Sequence, residues 1–406
     1  MYWHYFLIGT FVLALVHIVP GLRNLFYVHV LFEKRSRPAR SARPARAGVF
    51  VPCKGAFPEL ADNLEAVACQ EYENFTVTYI SESYEDPAIR AIERVVRRHP
   101  HCRHVVAGPA VSCGQKNHNL LKGLAQDSGS ELFVFCDADI RPPREWLSML
   151  VSSLTADDVS VASGFRWLTP ARRTLAGTLH SMVVAYQGAF MSCTSTRAVW
   201  GGATAIRSST FEKLGVADEW SRTVVDDMTL LHLLRRKRMS VVYDPRCLVV
   251  SNNAVSSVRE VVEWLTRQIL FLKFCVRPFW FAALAAHIPT ALLMLAAGPL
   301  IVAGLFCEPL RPLGFICLGF SLVVMGAHTS LKLTCRDGQS VLRWFVLTPV
   351  LQLMGAFSLV KTAFMSSIRW GDATYRLDGD GRVVAVQKTE RDRRTTPAPE
   401  EDSRVQ

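Results

Sequence analysis

The stretch Glu131-Leu132-Phe133-Val134-Phe135-Cys136-Asp137-Ala138-Asp139 decides how this chain is read. An unbroken apolar run from Leu132 to Cys136 is the pattern of a parallel strand buried on both faces, and it delivers two carboxylates at its carboxyl end, where open α/β sheets bind ligands. Acids so placed suit Mg2+ or Mn2+, hard cations that prefer oxygen ligands and bridge to phosphates. The simpler reading is that Asp137 and Asp139 cap a helix beginning near Pro143. Two more acidic sites flank this one along the chain, in Ser81-Glu82-Ser83-Tyr84-Glu85-Asp86-Pro87 and at Asp226-Asp227.

Outward from that strand, residues from Ala47 to about Ser251 alternate short β-rich runs with amphipathic segments, the mark of a largely parallel sheet covered by helices. Strands are expected at 49–53, 75–80, 103–107, 159–165 and 198–206. Helices are expected at 59–69, 87–98, 116–125 and 226–238. Leu175 to Ser192 is long and weakly charged, and reads either as a core helix or as a helix lying in a membrane interface.

Half of the 406 residues are hydrophobic, and the excess sits at the two ends. The nearly uncharged run from Trp3 to Leu22 is long enough to span a bilayer, and it lacks the basic leader and cleavage site of a removed signal. This gives an anchor over 1–32, followed by a basic Pro/Ala linker over 33–46, which by the positive-inside rule puts the next domain, 47–278, on the cytoplasmic side. Three more apolar stretches, roughly 281–306, 313–331 and 344–364, make residues 279–366 a second membrane region and the chain a multi-pass membrane protein, in the inner membrane if it is bacterial. Four crossings would send the polar tail, 367–406, to the outer side, against the arginines it carries. The last stretch, 387–406, has the composition of disorder.

The net charge of +11 suits an anionic membrane surface, and no nucleic-acid-binding motif accompanies it. Eleven cysteines without a C-x-x-C pair suggest reduced thiols in a cytosol-facing domain. His99, His101, Cys102 and His104 form a local metal-like cluster, but there is no second ligand group for zinc. After the first strand the chain reads Lys54-Gly55-Ala56-Phe57-Pro58-Glu59, which is neither a P-loop nor a dinucleotide fingerprint, so nucleotide hydrolases and dehydrogenases drop out.

What the chain does carry, in order, is Val51-Pro52-Cys53-Lys54-Gly55, Asp86-Pro87-Ala88-Ile89, Gln115-Lys116-Asn117-His118-Asn119-Leu120, Cys136-Asp137-Ala138-Asp139-Ile140-Arg141, Gly201-Gly202-Ala203-Thr204-Ala205-Ile206-Arg207, Asp226-Asp227, and Ser367-Ile368-Arg369-Trp370 followed by Tyr375-Arg376-Leu377. This collinear series resembles the ceramide glucosyltransferase-like family of family 2-type glycosyltransferases over nearly the whole chain. The resemblance implies a GT-A fold, a Rossmann-like α/β domain with a mostly parallel sheet, carrying one N-terminal and about three C-terminal transmembrane helices.

It also implies roles. Lys54 would help receive the nucleotide of a UDP-sugar, and either Glu82 or Asp86 would contact its base and ribose. Lys116 would sit near the diphosphate with Asn119 supporting the pocket, although Lys116 also reads as a surface residue at a helix start. Asp137 would bind both nucleotide and metal, Asp139 the metal, and Asp227 would be the general base, with a pKa raised by partial desolvation. Asp226 reads as a helix cap or as a further contact. Arg267 and Gln268 stand where the family carries Arg-or-Gln-x-x-Arg-Trp, but Leu270 and Phe271 replace the Arg-Trp, which leaves the acceptor and diphosphate contacts open. Lys273 or Arg277 would be substitutes from the next turn, unless this is an interfacial helix.

The activity implied is inverting transfer of a sugar, glucose by resemblance, from a UDP-sugar to the hydroxyl of a membrane lipid such as ceramide. The alternatives are another lipid acceptor, such as a hopanoid or diacylglycerol, a polysaccharide synthase, or a non-catalytic relative that binds nucleotide or lipid.

Overall fold

The computed structural model describes residues 2–27, 44–154, 159–170, 173–192, 198–253, 255–333 and 338–388. Most of the basic linker and everything beyond 388, including nearly all of the stretch read as disordered, lie outside the described residues. The chain opens with helix α1 (Tyr2–Phe26). The central unit then runs β1 (Ala47–Pro52), α2 (Leu60–Ala68), β2 (Phe75–Ser81), α3 (Ile89–Arg98), β3 (Cys102–Val106), α4 (Gln115–Ala125), β4 (Leu132–Cys136), α5 (Trp146–Ser152), β5 (Val161–Pro170), α6 (Leu175–Gly188), β6 (Ala203–Arg207), α7 (Ser208–Leu214), α8 (Val216–Trp220), α9 (Asp226–Arg236) and β7 (Val241–Asn253). These strands form one seven-stranded sheet in the order β3-β2-β1-β4-β6-β5-β7.

The sheet is mostly parallel: β1 runs with β2 and β4, β2 with β3, and β5 with β7, while β6 alone opposes its neighbours. The apolar runs of β1 and β4 are central because both of their faces are covered. Val49, Val51 and Val134 pack with Leu64, Ile92 and Trp146 on one side, and Phe50 and Phe135 pack with Leu120, Trp220 and Leu234 on the other. Pairing of β6 begins only at Ala203, because Trp200-Gly201-Gly202 turn sharply, with the Ala203 N–H donating back to the Trp200 carbonyl at 3.1 Å. Strand β7 was not anticipated; Pro245 interrupts its apolar pattern, and its register against β5 shifts between Ser163 and Phe165. Helix α6 takes the core reading, with Leu179, Met182 and Val183 buried among Phe165 and Trp167 of β5 and Val261 and Leu265 further along the chain.

The remainder is α10 (Val258–Cys275), α11 (Arg277–Ala303), α12 (Arg311–Ser330), α13 (Val341–Ala363) and the strands β8 (Ser367–Trp370), β9 (Ala373–Leu377) and β10 (Val383–Lys388). Among the described residues, four helical segments, the expected number, are long and apolar enough to cross a membrane: 4–26, 277–303, 308–333 and 341–363. A buried polar cluster ties them together. His17 of α1 meets Thr290 at 2.9 Å and His328 at 3.3 Å, and Gln352 bridges His328 and His287 at 2.8 Å each.

Residues 367–388, read from the sequence as the start of a polar tail, instead form a three-stranded antiparallel sheet, β10-β9-β8. Alternation puts Ile368, Ala373, Tyr375 and Leu377 on one face, which is buried against Val224, Val225, Leu270 and Phe271. Gly371, at φ 63°, supplies the left-handed turn between the first two strands.

Candidate active site

Three chain segments converge at the carboxyl end of β4. The strand ejects Asp137, the first turn of α4 brings Lys116, and the first turn of α9 brings Asp226 and Asp227. The Lys116 ammonium lies 2.7 Å from Asp137 and 3.0 Å from Asp226. Asp227 points elsewhere: its carboxylate accepts from the Gly201 N–H at 3.1 Å and from its neighbour Met228 at 2.7 Å. The two acids of the pair are therefore distinct. Asp226 is buried and ion-paired, not a cap, since the N-cap position of α9 is Val225.

The close approach depends on two glycines. A Cβ on Gly201 would lie 2.1 Å from the Asp226 carboxylate, and one on Gly202 would lie 2.2 Å from the Trp200 ring and 2.7 Å from Asp137. On the open side, Arg166 of β5 pairs with Asp139 at 2.6 Å and stacks over Trp200 at 5.5 Å. Trp200 meets Phe165 edge to face at 5.7 Å, and Phe165 and Trp167 press on Gly188 of α6. The site thus borders the layer formed by α6 and α10.

Electrostatics separates the roles. Burial raises the Asp227 carboxyl and the charge of Asp226 raises it further, to about 7, in spite of Lys116. For Asp137 burial works upward, but Lys116 and Arg166 outweigh it and hold the carboxyl below its ordinary value. Burial likewise opposes the charge on Lys116, and Asp137, Asp226 and Asp227 more than compensate, so it stays an ammonium. Arg267 of α10 is lowered by burial and by the facing charge of Arg166, and its Nε has no hydrogen-bond partner among the described residues.

The remaining sequence candidates form a neighbouring cluster. Asp86 accepts from the N–H groups of Gly55 and Ala88, both at 2.8 Å, tying the loop after β1 to the start of α3. Lys54 pairs with Glu82 at 3.4 Å and with Asp372 of the C-terminal sheet, and Lys388 pairs with Glu82. Asn119 is buried and accepts from Gln115 at 2.8 Å, so it acts on the start of α4. Gln268 lies on α10 beside Arg267, partly buried. Leu270 and Phe271, in place of the expected Arg-Trp, are buried under the C-terminal sheet, and Lys273 donates to the carbonyls of Thr362, Ala363 and Met365. Arg166, Asp372 and Lys388 were missed; only pairing of distant segments brings them in.

The four residues of the histidine cluster do not converge: His99 instead joins Glu65 and Cys69, whose ligand atoms lie within 4.8 Å of one another and could hold a metal ion, while His101 and His104 turn to other partners. His99 meets Glu65 at 2.9 Å, His101 the Ala68 carbonyl at 3.0 Å and His104 the Ser81 hydroxyl at 2.9 Å. Asp137 and Asp139 do fit a divalent cation in kind: each is an oxygen donor that holds its basic partner through a single carboxylate oxygen.

A family model, Glycosyl transferase family 21, matches residues 9–383, from α1 to the third strand of the C-terminal sheet. The chain belongs to that family. Among solved structures, it is similar to the mannosyltransferase PcManGT from Pyrobaculum calidifontis, solved in complex with GDP-Man and Mn2+. The identity is 18%, 88% of this chain and 99% of that chain are covered, and the TM-score is 0.49. In this family 21 chain the match takes in the site at β4 and, of the C-terminal sheet, β8, β9 and the first residue of β10.

Proposed function

We propose that this family 21 glycosyltransferase moves a sugar, glucose from UDP-glucose, to the hydroxyl of a membrane lipid, ceramide, on the cytoplasmic side of the membrane. The observation that carries the chemistry is the split between Asp226 and Asp227. One acid is locked to Lys116, and the other has a carboxyl raised to about 7 and two N–H groups orienting it. Such a group accepts a proton near neutral pH.

The acceptor oxygen attacks the anomeric carbon as Asp227 takes its proton, and the bond from that carbon to the diphosphate breaks with both electrons leaving on the diphosphate oxygen. A single displacement inverts the anomeric centre, and the assignment of one base, Asp227, among the described residues of the site supports this over a covalent intermediate. The charges of Lys116 and Arg166 would oppose the negative charge growing on the leaving group. Asp137 and Asp139 would hold Mg2+ or Mn2+, which when bound supplies further neutralisation of the diphosphate. Lys54 and Glu82 line the side where the nucleoside would lie. The lipid reading is supported by the position of the site against α6 and α10, beside the spanning helices.

The test is incubation of purified protein in detergent with radiolabelled nucleotide sugars and separate lipids, including ceramide, diacylglycerol and a hopanoid. Label entering ceramide from UDP-glucose supports the reading. Transfer to another lipid or from another donor replaces the specificity, and nucleotide binding with no transfer at all would support a non-catalytic relative.

A further inference from the structure

We propose that α13 does not cross the membrane but dips into the leaflet on the catalytic domain's side and returns, laying an apolar stripe against the acyl chains there. At 23 residues it is about 35 Å long, enough to span, so length alone does not decide. Its contacts do.

At its start, Arg343 donates to the Arg173 carbonyl at 2.9 Å, Gln339 accepts from Thr178 of α6 at 2.6 Å, and Trp344 lies under Lys332 in the short turn just past α12. At its end, Thr362 accepts from Trp280 near the start of α11 at 3.0 Å, and Lys273 of α10 holds the last carbonyls. Its middle, at Gln352, meets His287 and His328. From Gln352 back to Trp344 the contacts climb from His328 on α12 to Lys332 just past it, toward the catalytic side. From Gln352 forward to Thr362 the contacts on α11 climb from His287 to Trp280, toward the same side. Both halves therefore rise, and the lowest point lies near Gln352, just after Pro349, a residue that permits the bend.

Chain parity requires the same. Leaving the catalytic domain, α11 goes out and α12 returns. A third crossing would strand the C-terminal sheet on the far face, yet that sheet pairs with Lys54, accepts from the Gln115 N–H and donates from Val383 to the Arg222 carbonyl. Leu342, Val346, Leu353, Phe357, Val360 and Phe364 recur three, four or seven apart and are exposed, whereas Thr348, Gln352, Ser358 and Thr362 face protein. An exposed apolar stripe continuous with the spanning helices has lipid as its occupant.

The proposal rests on the membrane reading but not on which side is cytoplasmic, because it compares sides with one another. Cys307, exposed in the turn between α11 and α12, marks the far face. In full-length protein in sealed cells, with the other accessible cysteines replaced, an impermeant maleimide is applied to three forms: one keeping Cys307, and Cys307→Ser forms carrying either Ser340→Cys or Val384→Cys. The two introduced thiols should react from one face and Cys307 from the other. Reaction of Ser340→Cys and Val384→Cys from opposite faces would overturn the proposal in favour of a fourth crossing. Reaction of all three from one face would overturn it by removing the crossings of α11 and α12.

Discussion

The backbone N–H of Gln115 donates to the hydroxyl of Tyr375 at 3.1 Å, which joins β9, the middle strand of the C-terminal sheet, to the residue immediately before Lys116. The same sheet covers Val224 and Val225, immediately before Asp226 and Asp227. Both helix starts that build the site are thus clamped from one side. Tyr375→Phe keeps the ring and removes the acceptor, leaving a part-buried N–H unpaired at about 1–3 kcal/mol. Turnover should fall about 10- to 100-fold if the Lys116 ammonium shifts as little as 1 Å. Steady-state kinetics alongside a thermal melt checks this; unchanged turnover would show that the clamp does not position Lys116.

Asp227→Asn preserves shape and cannot take a proton. Turnover should drop by roughly 10²- to 10⁴-fold, with UDP-sugar affinity held within a few-fold. In the wild type, transfer should rise with pH through about 7, as the carboxyl loses its proton. A flat profile between pH 5 and 9 would place the base elsewhere.

The same group makes a statement about stability. Its folded pKa is raised, so the native state keeps a proton that the unfolded state releases; the resulting stability is complete below the ordinary carboxylate value and lost as pH rises to about 7. Asp227→Asn should therefore melt higher than wild type at pH 8, with a smaller gap at pH 5 that closes only below about pH 4. Parallel melts at the two pH values test the sign.

Gly201→Ala inserts a Cβ 2.1 Å from the Asp226 carboxylate and 3.1 Å from the Lys116 ammonium. Transfer should fall below detection with the membrane fold retained, as read by detergent gel filtration. An active Gly201→Ala would mean that the turn gives way without disturbing the ion pair.

Metal dependence is checked by chelation. EDTA should abolish transfer and Mn2+ or Mg2+ restore it, and Asp139→Ala should lose UDP-dependent Mn2+ binding measured by calorimetry. Full activity in chelator would leave Lys116 and Arg166 as the cations that serve the diphosphate.

The apolar run 132–136 with its two acids was readable as a central strand and a candidate site because both signals are local: burial on two faces and an abrupt polar end. The glycine pair and Asp226-Asp227 were likewise visible, though not that one aspartate pairs with Lys116 while the other faces Gly201. That distinction depends on an ammonium arriving from 110 residues away, and sequence order carries no such distance. The C-terminal sheet was read as a polar tail because its strands are short and its buried face finds its partner only in Val224, Val225 and Phe271. Hydropathy and length establish that helix 341–363 prefers lipid, since those are properties of the segment alone. Where its two ends lie is decided by hydrogen bonds to α6, α10 and α11, which exist only once the chain has folded.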